Sequence, residues 1–136
     1  MDSAVGPEFT AQYLHVEDMG DYWLVGLADH QYETKDYLMF QRAHEFDEQD
    51  VRLGMDAVHV ERNGQGLSGY GGMQRVTLFW DLLQVDFDDK GTRSVAGIST
   101  MGVTFAFPGD QIETLRAGLR RCFAGFDCFH DQTQTP

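Results

Sequence analysis

The amino-acid sequence predicts an α+β domain: a mainly antiparallel sheet of six or seven strands with one C-terminal helix packed on it. Three observations carry that expectation. Apolar residues alternate with polar ones through most of the chain, the signature of strands with one buried face. One stretch near the C-terminus shows spacings of three and four instead, as a helix with an apolar stripe requires. The length, 136 residues, fits a single domain with enough interior to fold without metal or disulfide staples.

The elements follow in order. Residues 13–16 and 22–28 read as two strands around the turn Asp18-Met19-Gly20-Asp21. Residues 37–46 read as a third, with Leu38, Phe40 and Phe46 on one face; Arg42 and His44 share that face, so the far end is expected to leave the core. A short helix or turn is expected over 48–53. Val58 and Val60 mark a short strand over 57–62. Val76, Leu78 and Trp80 alternate with Thr77 and Phe79, and Leu83, Val85 and Phe87 with Gln84, Asp86 and Asp88. The acidic stretch Asp88-Asp89-Lys90-Gly91 then breaks the chain. Met101, Val103, Phe105 and Phe107 form the last alternating run, stopped by Pro108-Gly109. Ile112, Leu115, Leu119, Cys122 and Phe123 make the helical stripe. Asp110 is placed to cap that helix, with Glu113 completing a capping-box pattern, and Arg116, Arg120 and Arg121 lie toward the end where cations complement the dipole. No repeat or linker divides the chain, so 1–136 is expected to be one domain, with 1–10 and the polar stretch 127–136 expected to be flexible.

Charge narrows the function classes. The chain holds 22 Asp+Glu against 10 Lys+Arg, a formal net charge of −12. With no basic cluster, nucleic acid and anionic membranes are not expected partners, because phosphate neutralisation needs Lys/Arg surfaces. No apolar run approaches the ~20 residues of a membrane helix. The N-terminus shows no basic segment followed by an apolar one, so no secretory signal is expected, and two cysteines, Cys122 and Cys128, are too few for a disulfide framework. The expected setting is cytoplasmic. Gly6-Pro7-Glu8-Phe9 is compatible with a native sequence or a cloning scar and carries no weight.

The motifs that suggest chemistry are incomplete. Gly64, Gly66 and Gly69 spell G-x-G-x-x-G, but an alternating strand pattern follows where a phosphate-binding helix should start. A glycine-rich hairpin or bulge over 63–72 is the simpler reading. Asp86, Asp88 and Gly91 resemble the start of a calcium loop, but Lys90 and Gly97 occupy positions that need carboxylates. The histidines at 15, 30, 44, 59 and 130 have no ligand spacing, and His44 or His59 as a general base competes with an ordinary surface role. Cys122 lies on the apolar stripe and reads as core. No pattern makes a positive case for an enzyme, a cofactor or a metal.

Charge distribution is more informative. Residues 29–61 hold nine acidic and three basic residues, half of the net charge in a quarter of the chain. Glu45, Asp47, Glu48 and Asp50 fall within six residues without an intervening cation. Such carboxylates repel one another within a Debye length of ~8 Å, and a cationic partner would relieve that repulsion.

A longer series of residues points to a family. Tyr37-Leu38-Met39-Phe40-Gln41-Arg42, Glu45-Phe46-Asp47-Glu48-Gln49-Asp50, Leu53-Gly54-Met55-Asp56, Val60-Glu61 and Ser68-Gly69-Tyr70-Gly71-Gly72 resemble the immunity protein 10 family of bacterial polymorphic toxin systems. The resemblance runs from about residue 37 to 87. It implies a small cytoplasmic protein, neither enzyme nor cofactor carrier, that binds and neutralises a cognate toxin. A toxin with a basic surface, of nuclease type, suits the acidic chain. Tyr37, Phe40, Arg42, Phe46, Gly69, Gly71 and Gly72 are expected to serve the fold, as aromatic anchors, a buried Arg–carboxylate pair and a forced turn. Glu45, Asp47, Glu48 and Asp50, with Ser68 and Tyr70 of the glycine loop, are the candidate docking edge. Two other classes compete: a small ligand- or nucleotide-binding domain using the Gly64–Gly72 loop, and a subunit of a larger assembly using Trp23, Trp80 and the helix face.

Overall fold

A computed structural model describes residues 7–63, 67–95 and 99–133. Met1–Gly6, Gly64, Gly66, Gly97 and the last three residues lie outside the described residues, and with them parts of the scar-like, glycine and calcium-like patterns. Among the described residues the class is α+β, but the single sheet of six or seven strands is corrected to two sheets of five strands, and the one helix to three, of which one is the short helix expected over 48–53.

The first sheet has the order β1-β9-β8-β7-β10: β1 (Pro7–Ala11), β7 (Met73–Leu78), β8 (Leu82–Phe87), β9 (Thr100–Phe105) and β10 (Phe129–Asp131). Its centre is an antiparallel meander, and the two chain ends join its edges in parallel, β1 on β9 and β10 on β7. The second sheet is a wholly antiparallel run of β2 (Tyr13–Asp18), β3 (Tyr22–Ala28), β4 (Tyr37–Ala43), β5 (His59–Arg62) and β6 (Ser68–Tyr70). Only Gln12 separates β1 from β2, and only Gly71-Gly72 separates β6 from β7, so the chain changes sheet in one step at each place.

One apolar cluster holds the molecule together. Val25, Leu27, Leu38, Phe40 and Val60 contribute from the second sheet, Val76, Leu78, Leu83, Val85, Met101 and Val103 from the first. Helix α3 (Gln111–Cys122) adds Ile112, Leu115, Leu119 and Cys122, which confirms the expected stripe. The helix lies on the inner face of the second sheet. A Cβ on Gly118 would stand 2.8 Å from Val16 and 2.9 Å from Val25, so glycine is what lets helix and sheet approach this closely.

Arg42 fixes the far end of α3. Its guanidinium donates to the carbonyls of Arg121, Cys122 and Ala124 at 3.2, 3.4 and 2.9 Å, and stacks between the rings of Phe46 and Phe126. A cation here satisfies carbonyls that have no helical partner and meets the negative end of the helix dipole. The Arg–carboxylate pair expected at Arg42 is thus corrected to a helix cap. A buried Arg–carboxylate pair does exist, at Arg116, whose Nε lies 3.1 Å from Asp131 and which also pairs with Glu113.

Other differences have local causes. Asp110 makes no side-chain cap, because its backbone is already helical (φ −67°, ψ −19°) where a capping residue is extended, and Glu113 is turned to Arg116, so the capping box does not form. The acidic break at 88–91 is the start of α2 (Asp89–Ser94), capped by Asp88 onto the Gly91 N–H at 2.9 Å. Trp80, grouped by parity with Val76 and Leu78, sits 57 % exposed at the β7–β8 turn. The polar tail contributes β10: Phe129 stacks on Phe123, and Asp131 is gripped by Arg116, Arg120 and Thr133. Burial works to raise the Asp131 carboxyl, but the Thr133 hydrogen bonds and the two guanidiniums outweigh it and hold it below its ordinary value.

The glycine-rich region packs on α2. A Cβ on Gly91 would lie 2.1 Å from the Gly72 carbonyl oxygen, and one on Gly69 would lie 2.9 Å from Ser94 Oγ. Gly71 and Gly72 also take positive φ, 71° and 79°.

Three stability measurements check these contacts by chemical denaturation. Gly91→Ala drives a methyl into backbone and is expected to cost about 2–3 kcal/mol, whereas Gly109→Ala, with open space around it, stays within about 0.5 kcal/mol. Arg42→Ala is expected to cost about 1–3 kcal/mol, and Arg42→Lys to restore less than half, because an ammonium lacks the planar fork. Asp131→Asn lowers stability at neutral pH. Because the folded carboxyl titrates below its ordinary 3.8, that deficit is fully present above about pH 4 and shrinks as the pH falls further. A deficit constant down to pH 2 would contradict the ion-pair account.

Candidate functional site

The acidic stretch 45–50 forms the approach to α1 (Glu48–Arg52). Its four carboxylates divide into two kinds. Asp47 accepts from the Asp50 N–H at 2.8 Å, and Asp50 accepts from the Asp47 N–H at 3.0 Å, a reciprocal capping box that starts the helix. Glu45 and Glu48 are exposed and make no ion pair or hydrogen bond among the described residues. Phe46 anchors the stretch, packed on the Arg42 guanidinium and edge-on to Phe126. No residue of α1 is buried, and Val51 and Leu53 stand 58 % and 61 % exposed. Acids and apolar side chains therefore share one surface patch.

The residues expected to serve the fold touch interior or backbone. Phe40 is fully buried and edge-on to Phe123. The Tyr37 hydroxyl donates to Glu61 across β4 and β5. Gly69 and Gly72 make the close approaches to α2 described above. Ser68 and Tyr70 differ, because they point to the outer face of β6, opposite Glu61 and His59. The Tyr70 ring meets His59 edge-on at 4.8 Å. Asp50 and Tyr70, from different parts of the candidate edge, line one hollow of about 220 Å³ together with Asp21, Tyr22, Gln41, Met55 and His59.

The groups that suggested chemistry are placed otherwise. His15 pairs with Glu17 at 2.8 Å, and His44 with Asp18 at 2.9 Å while packing on Trp23. Burial lowers the His59 pKa against the opposing charge of Glu61. Burial pushes the Cys122 thiol up to about 12, over the opposing pull of Arg42 and Arg121, so it stays protonated and inert at neutral pH. Among the described residues no group of three His, Cys, Asp or Glu is disposed to hold a metal ion, and no helix is long and apolar enough to cross a membrane. The described part of the glycine loop leads from β6 into β7, with no helix N-terminus for a phosphate. The apolar face of α3 is spent in the core and is not free for a further subunit.

The sequence reading missed the outer face of the second sheet. Tyr13, Tyr22, Tyr37 and Tyr70 lie there with His15, His59, Leu24 and Met39; among the described residues α3 and the first sheet pack on the other side, while Gln31 and Thr34 border one end of this face and Asp50 and Met55 the other. The available signal was parity: tyrosines recur on the positions opposite Val25, Leu27, Leu38 and Phe40.

Comparison with known families matches residues 10–113 to the model described as Immunity protein 10. Neither curated proteins nor solved structures give a match. The matched segment begins in β1, includes the entire second sheet and ends in the first turn of α3. It covers well over half of the chain, and the chain belongs to the Immunity protein 10 family.

Proposed function

We propose that this protein binds the toxin encoded beside it and blocks the toxin's active site with an acidic surface, without catalysing a reaction of its own. Family membership supports the neutralising role in general. The observation that carries the acidic mode is the patch at α1, where unpaired Glu45 and Glu48 precede exposed Val51 and Leu53, with Arg52 the cation of that helix, on a chain of net charge −12. Such a patch combines charge for fast capture with apolar area for retention. The target we propose is a nuclease, because a substrate cleft built for phosphate offers the basic surface that carboxylates can occupy. The docking edge comprises Glu45, Asp47, Glu48 and Asp50 with Ser68 and Tyr70, and it acts in the cytoplasm, where the toxin would meet its target.

The capping box dictates how this is tested. Reversing Asp47 or Asp50 would unwind α1 and confuse folding with binding. Glu45→Lys with Glu48→Lys removes only free carboxylates. Titration calorimetry against the product of the neighbouring toxin gene is expected to show binding weakened well over tenfold, with an unchanged denaturation midpoint and a wild-type affinity that falls with salt. Unchanged affinity in the double variant would retire the acidic edge.

A further inference from the structure

The two sheets present very different outer faces. On the first sheet the outward positions are mainly polar and satisfy one another: Thr10 with Thr104 at 2.7 Å, Thr100 with Asp86 at 2.9 Å, Gln84 with the same Asp86 at 3.3 Å. That is the pattern of an antiparallel sheet facing water. On the second sheet the outward positions carry four tyrosines, two histidines, Leu24 and Met39. No Lys or Arg occupies any outward position from β2 to β6. Enrichment in tyrosine is the composition of a protein-binding surface, and a face without cations accepts positive charge from a partner.

Gly26 adds an independent sign. It sits mid-strand in β3 on this outer face. Glycine costs a strand about 0.5–1 kcal/mol relative to alanine. The fold does not demand it: its φ is not positive, and an added Cβ would meet only His15 at ordinary contact, 3.8 Å. A glycine in a strand interior often marks a bulge, a tight bend or a close approach by a ligand or another backbone, and the pairing of β3 with β2 and β4 runs through Gly26 without a bulge. Gly26 floors a mainly apolar groove with Tyr13, Leu24, Tyr37 and Met39.

At the other end of the face is the hollow shared by Asp50 and Tyr70. Asp21 stands at it with a carboxylate that has no partner among the described residues, and Asp50 has one oxygen engaged by the Asp47 N–H. Tyr22, His59 and Tyr70 supply aromatic walls, and His59 Nδ1 is buried without a hydrogen-bond partner. Planar rings beside carboxylates suit a guanidinium, which stacks and forks at once, better than an ammonium. Asp50 and Met55 join this hollow to the α1 patch, and Tyr22 and Gln41 of the hollow are the next outward positions along β3 and β4 from Leu24 and Met39 of the groove, so the three adjoin on one side of the sheet.

We propose that the open face of the second sheet is the main contact surface for the toxin, with the hollow between Asp21, Asp50 and the Tyr22 and Tyr70 rings receiving an arginine side chain from it. This rests on the neutralising role proposed above and names the surface that performs it. A second copy of this chain is disfavoured as the occupant, because Glu17, Asp21 and Asp50 stand on or beside the face of a molecule of net charge −12 and self-docking would set like charges together.

The test is titration calorimetry of the full chain against the inactivated toxin domain encoded beside it, with light scattering of the free chain. Asp21→Lys and Gly26→Val are each expected to weaken binding at least tenfold with the fold intact, as shown by an unchanged or higher denaturation midpoint for Gly26→Val. Thr104→Lys, on the outer face of the first sheet, is expected to leave affinity unchanged. If wild type binds and Glu45→Lys/Glu48→Lys weakens binding while Asp21→Lys and Gly26→Val do not, the sheet face is overturned and neutralisation stands. If the wild type does not bind the toxin at all, the neutralising role fails and this surface assignment with it. If the free chain is a dimer that Gly26→Val dissolves, the occupant is a second copy and the assignment is overturned.

Discussion

The seating of α3 on the inner face of the second sheet is the constraint from which the rest follows. A five-stranded antiparallel sheet has two faces and must bury at least one. Gly118 lets the helix lie against Val16 and Val25, and Arg42 holds the helix end by its terminal carbonyls. Arg116, on the same helix, reaches Asp131 and Thr133 and so ties the first sheet's edge strand to α3. With α3 on the inner face, the outer face is bordered among the described residues only at its ends, by Gln31 and Thr34 at the groove and by Asp50 and Met55 at the hollow. Val25, Leu27, Leu38 and Phe40 serve stability, and the alternate residues of the same strands are left for contact.

The carboxylates show why charge density alone is a poor guide to a site. Four acids in six residues look equivalent in the sequence. In the fold, Asp47 and Asp50 lend oxygens to backbone N–H groups at a helix start, while Glu45 and Glu48 face solvent. Farther along, Asp88 caps α2 and Asp131 is neutralised by two arginines. Glu45 and Glu48 at α1 and Asp21 beside the hollow are among the acids that neither backbone nor arginine has claimed.

Local signals were legible and pairing was not. Alternation located β7, β8 and β9, and the three-four spacing located α3, because each reports on one element and one buried face. The division into two sheets was hidden, since the change of sheet takes a single residue at Gln12 and two glycines at 71–72. Parallel pairing at both chain ends was equally hidden: β1 meets β9 across most of the chain, and no local pattern reports that. β10 was masked by its polarity, because Asp131 and Thr133 are buried through ion pairing and hydrogen bonds rather than apolar contact. Of the candidate site, the acidic stretch and Tyr70 were visible. The tyrosine-rich face was not: parity sets Tyr22 and Tyr37 opposite the core residues of their own strands, but that the tyrosines of four strands share one face shows only once the pairing is known.

The central claim, that the toxin is held on the second sheet's outer face and the adjoining α1 patch, is tested most directly by hydrogen–deuterium exchange of the chain free and bound to its toxin. The account predicts new protection over residues 13–28, 37–56 and 68–70, with the outer strands of the first sheet exchanging as before. Protection concentrated on β8 and β9, with α1 and β2–β4 unchanged, would contradict it.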